Sequence, residues 1–129
     1  MKLQDYPRPK DDTGIGLHFS SGDTQERHVR DQLGLLKDLG VKWVKMLGKG
    51  SPDDINACQL LAANDIEPVV RLYRDRPHPD YVPQRDYIRR YVNAGAHYFE
   101  GGNEPNLVDE WQMDKWNLGE QPEQCALQF

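Results

Sequence analysis

The sequence predicts an α/β fold assembled from parallel strand and helix units, and three observations predict it. Runs of β-favouring residues begin at Ile15, Val41, Glu67 and Ala96, at intervals of 26, 26 and 29 residues. Each interval also holds one stretch whose apolar residues recur three and four apart, the period of a helix with one buried face. Glycines stand where two of the helices should stop, at Gly40 and Gly95, where a left-handed residue satisfies the last carbonyls. One strand and one helix per interval is the pattern of a parallel sheet, because parallel neighbours need a long crossover. A doubly wound open sheet meets the same condition, so periodicity alone leaves the arrangement of the sheet open.

Taken in order, residues 1–13 form a lead-in with two prolines, Lys10, Asp11 and Asp12 and no apolar period. The first strand is expected near residues 15–19, ending at His18 and Phe19 before the turn-rich Ser20-Ser21-Gly22-Asp23-Thr24. Asp23 or Thr24 offers an N-cap to a first helix with Val29, Leu33, Leu36 and Leu39 or Gly40 on its apolar face. A second strand is expected over residues 41–47, with Trp43 in the core. Ser51-Pro52-Asp53-Asp54 is a helix start: a capping hydroxyl, proline at the first helical position, and acids at the positive end of the dipole. That second helix carries Ile55, Cys58, Leu61 and Ala62 and ends near Asn64 and Asp65. The third strand covers residues 67–73 with its proline early. A loop rich in Pro, Asp and Arg follows, then a third helix with Tyr87, Ile88, Tyr91 and Val92 as its stripe. The fourth strand spans residues 96–103, and a fourth helix is expected from Gln121.

Composition narrows the function. At 129 residues the chain has the length of one domain. Charged residues are 29% of the chain, in the range of a soluble globular protein. Lys and Arg number 16 against 21 Asp and Glu, a formal charge of −5, and the basic residues are scattered among acids. A basic face for nucleic acid is therefore not expected. No stretch approaches the ~20 apolar residues of a membrane span, and the N-terminus lacks an apolar run. The chain is expected to be either cytoplasmic or trimmed of a signal. Cys58 and Cys125 lack CxxC spacing, and His28, His78 and His97 lack metal-ligand spacing with a carboxylate, so neither a metal nor a cofactor is expected. The glycine-rich phosphate fingerprint is missing after the first strand, where the chain reads Phe19-Ser20-Ser21-Gly22-Asp23, and no GxSxG elbow occurs.

The chemistry concentrates in Tyr98-Phe99-Glu100-Gly101-Gly102-Asn103-Glu104-Pro105-Asn106. Three strand-forming residues run into two glycines, then an amide and a carboxylate are followed by a proline that cannot continue a central ladder. The tetrapeptide Asn103-Glu104-Pro105-Asn106, with Glu100 four positions before the acid, resembles the end of the fourth strand in retaining glycoside hydrolases of clan A. These are (β/α)8 barrels that include cellulases and β-glycosidases. The resemblance implies that the chain is the first half, four strands, of a TIM-type barrel, with Glu104 as general acid/base. It also implies that Asn103 hydrogen-bonds the sugar hydroxyl beside the reacting carbon, a contact that strengthens in the oxocarbenium-like transition state. Without that setting, Asn-Glu-Pro reads as a turn and Asn103 as its Asx residue.

Further residues could line a sugar site: Arg71 and Tyr73 near the end of the third strand, His18 at the end of the first, and Trp111 and Trp116 beyond the acid. Each has a plainer role open to it, as a rim ion pair, a packed histidine or a ring that pins a loop. Glu100 shares the parity of Glu104 but lies deeper, so an ion pair with Lys45 or Arg71 is expected.

A full barrel takes roughly 200 to 250 residues, about twice this length. A retaining glycosidase needs two carboxyl groups about 5 to 5.5 Å apart. In the clan resembled, the nucleophile ends the seventh strand. This chain is therefore expected to be inactive by itself. Its outer sheet edges are unpaired and its apolar inner face is open, so either it associates with a second copy or a complementary half, or the fourth helix and the lead-in segment cover the openings; a dimer or larger assembly is expected. The competing reading is a non-catalytic α/β module that binds carbohydrate or a protein partner through the same rim.

Overall fold

The computed structural model describes residues 6–19, 25–72 and 85–101. Four strands and three helices alternate along the chain. They are β1 (Gly16–His18), α1 (Gln25–Asp38), β2 (Trp43–Gly48), α2 (Pro52–Ala62), β3 (Glu67–Leu72), α3 (Arg85–Asn93) and β4 (Tyr98–Gly101). The strands form one sheet in the order β1-β2-β3-β4, and every neighbouring pair is parallel. The expected α/β fold of parallel units is therefore present.

One core joins the helices to one face of the sheet. Val44 and Met46 of β2 and Val70 and Leu72 of β3 pack with Val29 and Leu36 of α1, Ala57, Cys58 and Leu61 of α2, and Tyr91 of α3. The alternate residues of the strands, Trp43, Lys45, Leu47, Val69, Arg71, Tyr98 and Glu100, point to the opposite face by the period-two geometry of a strand. Among the described residues no helix covers that second face.

Each helix ends in the same turn. After α1, the Gly40 N–H donates to Lys37 O and the Val41 N–H to Leu36 O. After α2, Asp65 donates to Ala62 O and Ile66 to Leu61 O; after α3, Gly95 donates to Val92 O and Ala96 to Tyr91 O. These paired bonds are Schellman motifs, with Gly40, Asp65 and Gly95 in the left-handed region at φ 67, 59 and 101. The motif corrects two strand boundaries. Val41 and Ala96 begin strands by their apolar character alone, yet both are buried as the residue after the left-handed turn, so β2 starts at Trp43 and β4 at Tyr98.

Other expectations shift for similar reasons. Leu39, at the end of α1, and Val92, one residue past the buried Tyr91, are 55% and 51% exposed rather than on their helices' packed faces. Trp43 does not join the core. It is half-buried on the second face, edge-on to Tyr98 with ring centroids 5.3 Å apart. The Ser51 hydroxyl caps α2 as expected, and Asp54 reaches back to the Ser51 N–H to complete a capping box. A distant residue also serves the start of α1: Asp53 accepts from the Gln25 N–H at 2.6 Å and the Glu26 N–H at 3.3 Å. Asp23, Thr24 and the expected fourth helix lie outside the described residues.

Pro68 sits in a central strand without breaking it. Glu67 donates its N–H to Lys42 O on the β2 side, so by alternation Pro68 faces β4, whose ladder begins only at the next pair, Val69 with Tyr98.

Candidate functional site

The open face of the sheet carries the chemistry that is visible among the described residues. Register places His18, Lys45, Val69 and Tyr98 in one row across the four strands, and Leu47, Arg71 and Glu100 in the next row toward the strands' C-terminal ends. Such rows bring like-facing side chains of successive parallel strands side by side.

Glu100 is the centre of this arrangement. Its Oε2 lies 2.5 Å from Lys45 Nζ, and its Oε1 lies 3.9 Å from Arg71 Nε. Lys45 is two strands away, so its long side chain crosses diagonally over Val69 to reach the carboxylate. The expected ion pair of Glu100 with Lys45 or Arg71 is thus formed with both. Arg71 is the most covered of the three, with its side chain 17% exposed against 31% and 36% for Lys45 and Glu100. A carboxylate between two cations leaves this trio with a formal charge of one positive unit. Chemically this trio can fix an acceptor and present guanidinium and ammonium donors to a polar or anionic group, but it holds only one carboxylate.

His18 is exposed on β1 beside Lys45. Three strand spacings, about 14 Å, separate β1 from β4, so the structure brings Arg71 to Glu100 and leaves His18 at the far edge of the face. Glu104, Asn103, Tyr73 and Trp111 lie outside the described residues, as does Trp116.

Compared with protein-family models, curated proteins and solved structures, the chain matches none.

A buried polar network lies beside the site, where β2 passes into α2. Asp54 Oδ2 accepts from the Lys49 N–H at 2.8 Å and the Ser51 N–H at 3.2 Å, and the Tyr91 hydroxyl lies 3.4 Å from it. The Gln25 amide nitrogen donates to Asp54 Oδ1 and to Leu47 O at 2.6 and 2.7 Å. Tyr91 Oη accepts from the Gly50 N–H at 2.8 Å, and the Tyr87 hydroxyl donates to Gly48 O. Burial pushes the Tyr91 hydroxyl well above the ordinary tyrosine range, so it stays protonated and available as a donor. Residues 47–51 therefore have their backbone groups tied to side chains from α1, α2 and α3, and this loop is a fixed wall of the rim. Sequence reasoning missed Gln25 and Tyr91 in this role; Tyr91 read simply as apolar stripe, and nothing local marks Gln25.

Cys58 is buried in α2, and burial raises its thiol to about 12, followed by the nearby charge of Glu67. It is packing rather than a nucleophile. Among the described residues no cluster of His, Cys, Asp and Glu could hold a metal ion, and no helix is long and apolar enough to cross a membrane.

Proposed function

We propose that this chain is the N-terminal, four-stranded part of a (β/α)8 barrel, and that the complete barrel is a retaining glycoside hydrolase in which Glu104 is the general acid/base. The observation that carries the reading is the combination of an in-order, all-parallel sheet with a carboxylate-bearing segment following its fourth strand. Four strands in the order β1-β2-β3-β4, with helices on one face, are what one half of such a barrel requires. The uncovered face then corresponds to the barrel interior. Catalytic groups in barrels stand at the C-terminal ends of strands, and Glu104 follows the last described residue of β4, Gly101, by three positions.

In this reading Glu104 protonates the departing glycosidic oxygen and then deprotonates the water that releases the sugar, while Asn103 holds the neighbouring hydroxyl. Glu100, held by Lys45 and Arg71, is the layer beneath, and it keeps positive charge close to the site. Tyr73, His18 and Trp111 supply further sugar contacts from the rim. The nucleophile comes from outside these 129 residues, contributed by the remaining strands of a longer chain or by a complementary half. A second copy closing the edges of β1 and β4 is the other partner the sheet accommodates.

Two measurements test this. Aryl glycosides should be turned over by a polypeptide extended through a seventh strand and not by residues 1–129 alone; turnover by the short chain contradicts the missing nucleophile. Light scattering after size exclusion should show association of the short chain, and a well-dispersed monomer at micromolar concentration removes the second copy. Sugar binding by a chain that never hydrolyses in any extended form supports the non-catalytic module instead.

A further inference from the structure

The lead-in segment is not a tail. Residues 6–13 run beneath the sheet from β4 back to β1, anchored once at each step. Pro7 O accepts from the Tyr98 hydroxyl of β4 at 2.6 Å. The Lys10 N–H donates to Asp65 Oδ1, in the turn before β3, at 2.8 Å. Asp12 Oδ1 accepts from the Trp43 indole of β2 at 2.7 Å, and the Thr13 hydroxyl donates to Gly40 O, in the turn before β2, at 2.6 Å. Beyond it, Ile15 O accepts from the Lys42 and Trp43 N–H groups as the chain enters β1.

All of these anchors stand at the N-terminal pole, where the helix-to-strand turns lie. Trp43 and Tyr98 are the two rings on the open face nearest that pole, and each has its one polar atom committed to this segment. We propose that residues 6–13 form a strap that closes the N-terminal pole of the open face, latched by Asp12 to Trp43 and by Pro7 to Tyr98, so that a ligand cannot reach the face past these two rings from that pole. The strap stands whatever chemistry the other pole performs.

The strap is held by polar anchors and little else. Tyr6, Pro7, Arg8, Lys10, Asp11 and Thr13 are exposed, and no residue of the segment belongs to the core. Loss of one anchor should therefore open it without unfolding the sheet, since surface segments with few apolar contacts open independently of the core.

The test uses the full chain with Asp12→Ala and Tyr98→Phe. Trypsin cleavage after Lys10 should rise about two- to tenfold in each variant, the effect of one lost hydrogen bond on a local opening. A soluble neutral gadolinium chelate should broaden the Trp43 indole signal weakly in the wild type and strongly in Asp12→Ala, with the Val44 and Val70 amide signals unmoved in both. Equal broadening in wild type and variant, or unchanged cleavage in both variants, overturns the strap. Movement of the Val44 and Val70 signals together with faster cleavage also overturns it, because the segment would then be part of the fold and not a separable closure.

Discussion

Lys45 on β2 and Glu100 on β4 meet across Val69 of the strand between them, Nζ to Oε2 2.5 Å. The pair ties two strands that do not hydrogen-bond to each other, and its side chains are 31% and 36% exposed. Solvent screens such a contact, so its worth to stability is small, about 0.5 kcal/mol and no more than ~1. A double-mutant cycle with Lys45→Met and Glu100→Gln, followed by urea unfolding, should give a coupling in that range. A coupling of several kcal/mol would show that the face is dry, hence covered.

Asp54 is a heavier case. It is buried, closes the capping box of α2, and accepts from two backbone N–H groups of the rim loop and from the Gln25 amide. Asp54→Ala removes a cap and strands several buried donors, and should cost about 2 to 4 kcal/mol. Tyr91→Phe, which keeps the ring and removes the acceptor for Gly50, should cost about 1 kcal/mol. Denaturant midpoints with unchanged slope measure both; equal small losses would contradict the network.

Gly40 and Gly95 separate two causes of the same requirement. Both are left-handed, so alanine at either costs about 1 kcal/mol. At Gly40 a Cβ meets only Thr13 Cγ2 at 3.6 Å, whereas at Gly95 it would lie 2.6 Å from Ala62 Cβ. Gly95→Ala should therefore be the more destabilising by thermal unfolding, and the reverse order would place α3 wrongly against α2.

These turns also show what was legible in the sequence. Gly40 and Gly95 announce themselves because the stop signal is local, and so does Ser51-Pro52-Asp53-Asp54. Asp65 makes the same turn as the glycines without their signature. Its left-handed backbone goes with carboxylate contacts to Lys10 and Lys42, which lie 55 and 23 residues away. The bonds from the start of α1 to Asp53, and the commitment of Trp43 to Asp12 rather than to the core, escaped for the same reason. Periodicity reports which residues share a face of one element, and it carries no information on which distant segment arrives there. Glu100 was the exception: strand parity alone put it on the face of Lys45 and Arg71.

Acid should loosen the strap. The Trp43 indole, then the Gly14 N–H, hold the Asp12 carboxyl below its ordinary range, with Arg8 and Lys42 adding to the effect. The Lys42 side chain, then the Lys10 N–H, do the same for Asp65. A lowered folded value means that the stabilisation is complete above the unfolded value, about 4, and is lost as pH falls through the lower folded values. The Trp43 indole signal should thus hold steady from pH 7 to about 5 and move toward its free position below about 4. The Asp12→Asn, Asp65→Asn double variant should lose that dependence; an unaltered profile would contradict the assignment.

Cys58 gives a chemical check of the core. Buried and raised to about 12, its thiol should resist a maleimide at pH 8 in the folded protein and react fully in urea. Peptide mass spectrometry reads the difference, and rapid native labelling would mean that α2 opens.

The most direct measurement of the central claim is azide rescue. In a polypeptide that carries the further strands the proposal calls for, Glu104→Ala should lose most turnover of an aryl glycoside, and sodium azide should restore part of it while yielding a glycosyl azide of retained configuration. Unchanged turnover in Glu104→Ala, or loss that azide leaves untouched with no glycosyl azide formed, would contradict the role of Glu104 as acid/base.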